Sequence, residues 1–358
     1  MAPNNKPPPV CVPDLGPHPR PQEEEAKAEK EEKVGVSPAT GIVLCIANML
    51  YWNLMLSSEV PPDPRQDSWM LMKSQTPTLI MSLAYVLGST WLGPKLMENR
   101  KPFSGLRPFM VAYNAFQVVF CSWLVFELGM GGWFGFYSFR CQACDFSDDP
   151  RPTRMLHATY WYYFSKLIDF LDTVFFVLRK KYNMISLLHV SHHALMPACA
   201  WNGVRFQPGG HITLLCILNS FIHVVMYGYY LLAAMGPRVR PYLWWKKYLT
   251  TMQMIQFVII FVHSFQMLFI DCPGVPKSAS RLVMGHSLLL LLLFANFYIK
   301  AYRGKRNKEI KEKPYAMCSE GNTLIPKAAN GNTTKLSADV LVSSEVEGLR
   351  SRIVTSRM

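Results

Sequence analysis

From residue 76 to residue 299 the chain returns repeatedly to runs of about twenty apolar residues, the length that a bilayer core requires of a helix. No other feature limits the possible folds so severely. The runs fall near 76–94, 109–126, 157–178, 184–203, 211–235, 248–270 and 282–299, which predicts an all-α membrane protein with seven transmembrane helices. Composition agrees. Half of the residues are hydrophobic and 17% are charged, where a soluble domain carries about a quarter charged.

A net charge of +13 is large enough to raise the question of nucleic acid, so the position of the basic residues decides. They gather in short loops between apolar runs and in the tail. One side holds 95–107, 179–183, 236–247 and the start of the tail, with 18 Lys and Arg. The other holds only eight, from Arg65 to Arg281. That asymmetry is the positive-inside pattern, which places the richer side and the C-terminus in the cytosol and 131–156 opposite. Nucleic acid is not the expected partner; the lipid bilayer is.

Outside the spans the chain divides simply. Residues 1–60 read as a disordered extension, Pro-rich and then mixed Glu and Lys, with a short apolar segment at 41–57. That segment is either an interfacial helix or an extra span that would carry 1–38 to the opposite face. Residues 61–302 form the membrane domain, and 303–358 a basic and then disordered cytosolic tail. The sequon at Asn332 falls on the cytosolic side and is expected to stay unmodified. On the opposite side stand Cys141 and Cys144 in one loop and Cys272 in another. An oxidising compartment permits a bond there, and spacing leaves open which cysteine of the first loop forms it.

Polar residues at membrane depth are costly and face a bundle interior or a cavity. His189, His192 and His193 stand at i, i+3 and i+4, one helix face. The third span carries Lys166, Asp169, Asp172 and Thr173; pairing Lys166 with either carboxylate relieves the cost of burial. The fifth carries Asn219, His223, Tyr227 and Tyr230, and the sixth Thr250, Gln253, Gln256 and His263. His286, alone among leucines in the seventh, reads as structural. Nine His in all, with no second HxxHH, are too few for a di-iron site, and no zinc pattern is assembled, so no metal is expected. Imidazole as nucleophile or base remains. A seven-span receptor or an acyl-chain carrier would be the alternatives, but a receptor has no need of Lys, Asp and His aligned in mid-membrane.

Four segments come in order: Lys166-Leu-Ile-Asp169-Phe-Leu-Asp172-Thr173, His189-Val-Ser-His192-His193, Asn219-Ser-Phe-Ile-His223-Val-Val-Met226-Tyr227-Gly-Tyr229-Tyr230, and Thr250-Thr-Met-Gln253-Met-Ile-Gln256-Phe257. Together they resemble the signature boxes of the very-long-chain fatty acid elongases of the endoplasmic reticulum, nearest the animal subfamily acting on saturated and monounsaturated long chains. Asn99-Arg100-Lys101-Pro102-Phe103 is similar to that family's first cytosolic loop. Two departures stand out. Asp169 replaces the usual Glu of the first box, and Val354–Met358 lacks the dilysine signal of many members.

The resemblance implies six of the seven helices in an inverted barrel around a closed acyl tunnel. It implies condensation of malonyl-CoA with a long-chain acyl-CoA to 3-oxoacyl-CoA, carbon dioxide and CoA, the reaction of a very-long-chain 3-oxoacyl-CoA synthase. CoA thioesters are then substrates, and no cofactor is needed. It implies His192 as nucleophile, His193 and His189 orienting it or relaying protons, and His223 stabilising the oxyanion or protonating the thiolate. Lys166, Asp169 and Asp172 complete the catalytic set. Asn219, Tyr227, Tyr230, Gln253 and Gln256 would bind substrate, with Lys180, Lys181, Lys246 and Lys247 as charge partners for the CoA phosphates. It also implies a Cys141–Cys272 disulfide, and hand-over of product to a reductase, a dehydratase and a second reductase. A homodimer stays open.

Overall fold

Helix follows helix from Pro38 onward, and two serines show how the chain starts them. The Ser37 hydroxyl accepts from the Thr40 N–H at 3.1 Å, with Pro38 at the first helical position. The Ser186 hydroxyl accepts from the His189 N–H at 3.3 Å. Each satisfies one of the N–H groups that a helix leaves unpaired at its start. The second cap fixes where the histidine segment sits on its helix.

The computed structural model describes residues 35–300, together with the backbone of 316–320 and 323–327. The helices are α1 (Pro38–Ser57), α2 (Thr76–Leu87), α3 (Arg107–Leu128), α4 (Pro150–Ile168) and α5 (Phe170–Leu178), then α6 (Leu187–Phe206), α7 (Leu214–Ala234), α8 (Lys246–Phe265) and α9 (Lys277–Tyr298). A π-helical turn at Gly88–Leu92 carries α2 on into Gly93–Met97. All of these lie in one compact unit, Lys30–Tyr302. In a second unit, β1 (Ala316–Glu320) pairs antiparallel with β2 (Thr323–Lys327), where the sequence reading expects no regular structure. The readings made for residues 1–34 and for the sequon at Asn332 lie outside the described residues.

Among the described residues five helices are long and apolar enough to cross a membrane: Pro38–Ser57, Arg107–Trp133, His211–Ala234, Lys246–Leu268 and Lys277–Tyr298. Four coincide with expected spans. The fifth is α1, so the short apolar segment of the N-terminal extension is a full-length helix packed into the main unit. The other three expected spans are helical but do not qualify by length and composition, and the reasons are local. α2 gives way to a π turn after 12 residues. The third expected span divides at Asp169 and carries the charges of Lys166, Asp169 and Asp172. α6 carries three imidazoles. It is also the most enclosed of the nine helices named above, with 14 of its 20 residues buried.

The connections gather at two ends. At one, the Phe103 N–H donates to the Leu178 carbonyl at 3.0 Å, and Lys180 Nζ to the Glu98 carbonyl at 3.0 Å. Arg107 donates there to the carbonyls of Ala234 and Met235. At the other, Cys141 and Cys272 are disulfide-bonded, joining the α3–α4 and α8–α9 connections across a sequence separation of 131. This is the pairing that the resemblance implies. Arg65 ties the same end together: it pairs with Asp63 at 2.6 Å and donates to the Ser147 carbonyl at 2.5 Å. The Asp63 partnership raises the Arg65 guanidinium above its ordinary value. Gly210, at φ 71°, is required by close approach as well as by backbone, since a Cβ would stand 2.7 Å from the backbone of Ala143.

Candidate active site

α3, α4 and α7 meet around one buried carboxylate. Asp169, 1% exposed, stands where α4 passes into α5. Its Oδ2 lies 3.1 Å from Lys166 Nζ, so the structure selects Asp169 over Asp172 as the partner of the lysine. Its Oδ1 accepts from Gln117 Nε2 at 2.8 Å and from the Tyr227 hydroxyl at 2.9 Å. The same hydroxyl lies 2.8 Å from Asp172 Oδ2. One phenolic hydrogen serves only one of these carboxylates at a time. Lys166 Nζ also donates to Asn219 Oδ1 at 2.9 Å, and that oxygen accepts again from the Tyr162 hydroxyl at 3.0 Å.

A charge pair this deeply buried needs surrounding hydrogen bonds as well as its own attraction to offset the loss of water. Here neutral hydrogen bonds from α3, α4 and α7 surround one Lys–Asp pair. His223 stands at the edge of the network. Its Nδ1 is 3.8 Å from Asp169 Oδ2, beyond hydrogen-bonding reach, and has no partner among the described residues.

The three imidazoles of α6 have different neighbours outside their own segment. His189 Nε2 is hydrogen-bonded to Thr173 Oγ1 at 2.7 Å. His193 lies one turn on, its ring centroid 4.3 Å from that of His189 and 6.1 Å from Tyr85. Both are occupied with α2 and α5. Of the three, His192 lines the cavity described next. His189 and His193 pack with their planes tilted by 47°, and His192 meets His193 edge-on, ring centroids 5.2 Å apart, so the three rings are contiguous and His192 is the one at the cavity.

The cavity runs from His192 and Asn219, past Tyr162 and Gln256, to Gln207, Ile212 and Thr213 near the disulfide end. Its atom-free space, mouth included, is about 800 Å3, and its wall is overwhelmingly carbon. His286 belongs to that wall too, with Cys199 Sγ 3.8 Å from its ring nitrogens.

The remaining expected residues divide. Asn219 and Gln256 line the cavity, while Gln253 donates instead to Met226 Sδ at 3.6 Å. Tyr230 is 36% exposed and stands beside Tyr227, ring centroids 6.1 Å apart, outside the carboxylate network. Lys181, Lys246 and Lys247 are exposed, Lys247 over the Tyr248 ring at 4.8 Å, and Lys180 is held on Glu98.

Gln117, Tyr113 and Tyr162 are missing from the sequence reading. Tyr113 and Gln117 are polar positions four apart in an apolar run, and Tyr162 precedes Lys166 by four. That spacing was the available signal.

Residues 70–310 match the ELO family, described as the GNS1/SUR4 family. The chain belongs to this family. A very long chain fatty acid elongase of Aedes aegypti is 53% identical over 247 residues, 69% of this chain and 68% of the relative. Very long chain fatty acid elongase 7 of Drosophila melanogaster is 49% identical over 247 residues, covering 69% and 75% of the two chains. Its counterpart in Rattus norvegicus is 48% identical over 246 residues, covering 68% and 87%. The match to the ELO family spans all four boxes, from Lys166 to Phe257. Together with the apolar helices, these relatives make the chain a multi-pass membrane protein with a role in very-long-chain fatty acid elongation.

Proposed function

We propose that this chain is the condensing enzyme of fatty acid elongation, and that His192 carries the acyl group between two half-reactions. One observation carries the reading: a single imidazole of the histidine segment, His192, opens into an apolar cavity beside a buried lysine–aspartate network. No hydrogen bond to another described side chain or backbone group occupies its ring. Its nucleophilic nitrogen is thus not spent on structure, and the carbon-lined space beyond suits an alkyl tail.

In the first half-reaction the neutral imidazole attacks the thioester carbonyl of a long-chain acyl-CoA. The N–C bond forms, the C–S bond breaks, and CoA leaves as the thiol, taking up the proton that the acylated imidazole gives up. In the second, malonyl-CoA loses carbon dioxide, and the resulting enolate attacks the acyl-imidazole. The N–C bond breaks, 3-oxoacyl-CoA leaves, and the departing imidazole nitrogen takes up a proton that regenerates neutral His192. A covalent stage divides one difficult condensation into two easier steps. On this reading His223 steadies the carbonyl oxygen as charge develops there. Lys166, Asp169 and Asp172 hold Asn219 and Tyr227 in place beside it. Lys180, Lys181, Lys246 and Lys247, at the basic end, are charge partners for the CoA phosphates.

On this reading the seven expected spans cross the bilayer, six of them surrounding the tunnel, and α1 is the extra span that the apolar segment at 41–57 allowed. The basic end and the C-terminus face the cytosol, and the disulfide end faces the lumen of the endoplasmic reticulum, which suits its disulfide. The 3-oxo product is the substrate class of a ketone reductase, followed by a dehydratase and a second reductase.

The test uses purified protein and acyl-CoA without malonyl-CoA. About one equivalent of CoA is expected per protein, with the acyl mass on the peptide that contains His192. No CoA release and no adduct, in a preparation that elongates once malonyl-CoA is added, would exclude the covalent route and leave a single ternary complex.

A further inference from the structure

α1 lies wholly before residue 70, where the family match begins. Its buried residues, Gly41, Cys45, Met49, Trp52 and Leu56, recur at helical spacing and form one stripe. Val43, Leu50 and Leu54 on its other faces are exposed, as suits contact with lipid.

The stripe docks at every level. A Cβ on Gly41 would stand 2.6 Å from Val86 Cγ1, so only a bare Cα lets α1 and α2 approach this closely. Farther along, Asn48 Nδ2 meets Cys199 Sγ of α6 at 3.6 Å. The Trp52 ring stands edge-on to His286 of α9, centroids 6.3 Å apart. Beyond the helix, Glu59 Oε2 accepts from the Ser278 N–H at 3.3 Å. α1 therefore bridges α6 and α9.

Trp52 does more than bridge. It is 4% exposed and lines the cavity that His192 opens into, the one lining residue from before residue 70. His286, which it meets, lies against Cys199, and Cys199 follows His192 by seven residues, about 10 Å along the helix. At that depth an alkyl tail passes, not the thioester.

We propose that α1 is a specificity element of the acyl site, in which Trp52 closes the wall between α6 and α9 and sets the length of acyl tail accepted. The proposal rests on the elongation reading. The logic is volume: an indole is a large rigid surface, and an apolar pocket discriminates between tails only by the methylenes it admits, roughly 10–200-fold for each. No polar group on the tail is available to be recognised, so wall shape is the remaining determinant.

The experiment compares the full chain with W52A, W52F and G41L in microsomes, given labelled malonyl-CoA and saturated acyl-CoAs of increasing length. W52A should raise the ratio of the longest to the shortest elongated products by about fivefold or more. W52F should stay near the parent ratio. G41L should move the ratio with W52A, because it lifts α1 without touching the cavity wall. Wild-type ratios in both W52A and G41L would overturn the proposal.

A second measurement needs neither turnover nor a variant that folds. An acyl-CoA with a diazirine near the end of its tail should crosslink to the peptide containing Trp52; label confined to residues after 70 would overturn the proposal. Failure of the unmodified chain to elongate any acyl-CoA would instead remove the elongation reading, and the crosslink would still decide whether α1 walls the cavity.

Discussion

Two groups of histidines, built of the same side chain and both enclosed, have opposite arrangements. Toward the disulfide end His211 and His263 stack with ring centroids 3.6 Å apart and planes 11° from parallel. His211 Nε2 donates to the His263 backbone carbonyl at 2.9 Å, and His263 Nε2 returns the bond to the His211 carbonyl at 3.1 Å. Gln266 Nε2 then donates to His263 Nδ1 at 3.2 Å. Three ring nitrogens are thus spent on structure. In α6, by contrast, His189 gives its Nε2 to Thr173, while His192 gives neither nitrogen to a described partner and opens into the cavity. A buried imidazole is a reagent only when its neighbours leave a nitrogen unspent. That is decided by backbone carbonyls and hydroxyls nearby, not by the histidine.

The contrast can be broken first by turnover. H192A should lower elongation roughly a thousandfold or more, the scale of a lost nucleophile or base. H263F should leave it within a few-fold while costing about 1–3 kcal/mol of stability, because it strips the donor from a buried carbonyl. Labelled malonyl-CoA incorporation and thermal midpoints in detergent read the two effects. A silent H192A, or an H263F as inactive as H192A, would erase the distinction.

A second experiment asks what supports the reactive group. D169N leaves Lys166 as an uncompensated buried cation and should cost about 3–5 kcal/mol, whereas replacing both by apolar residues, K166M with D169L, should recover much of that loss. Recovery of stability without recovery of elongation would separate the packing role of the pair from its role beside His192. The thermal midpoints of the single and double variants supply the comparison.

The smallest effect is expected at Cys144, a thiol at the disulfide end. Burial pushes it up from 9.0 to about 12. Raised in the folded state, it contributes stability that is whole below pH 9 and is lost as pH rises through about 12. At pH 8 it should therefore resist a maleimide in the native protein and react after denaturation in SDS, as counted by peptide mass. Rapid native labelling would show a thiol poised for chemistry, unlike the closed histidine pair nearby.

Much of the fold is written along the chain. Unbroken apolar runs require helices, because in hydrocarbon each backbone N–H must be answered within its own segment. Four runs reappear as apolar helices, while the runs carrying Lys166, Asp169 and Asp172 or the three α6 imidazoles fall short on composition, since charges and imidazoles lower hydropathy more than the amides and hydroxyls of α3 and α7 do. The four boxes were legible for the same reason: a charge or an imidazole at membrane depth is too costly to be incidental. Gln117 escaped notice because an uncharged amide in an apolar run is also ordinary interhelical glue.

The sequence by itself determined helix, membrane and family, since these depend on local composition, periodicity and the identity of a few ordered residues. Only tertiary structure decided which imidazole faces the cavity, which carboxylate holds Lys166, and that α1 contributes Trp52 to a wall begun 140 residues later in α6. Helical spacing ranks His189, His192 and His193 alike. The difference between them comes from Thr173, Tyr85 and the cavity, neighbours that chain distance does not reveal.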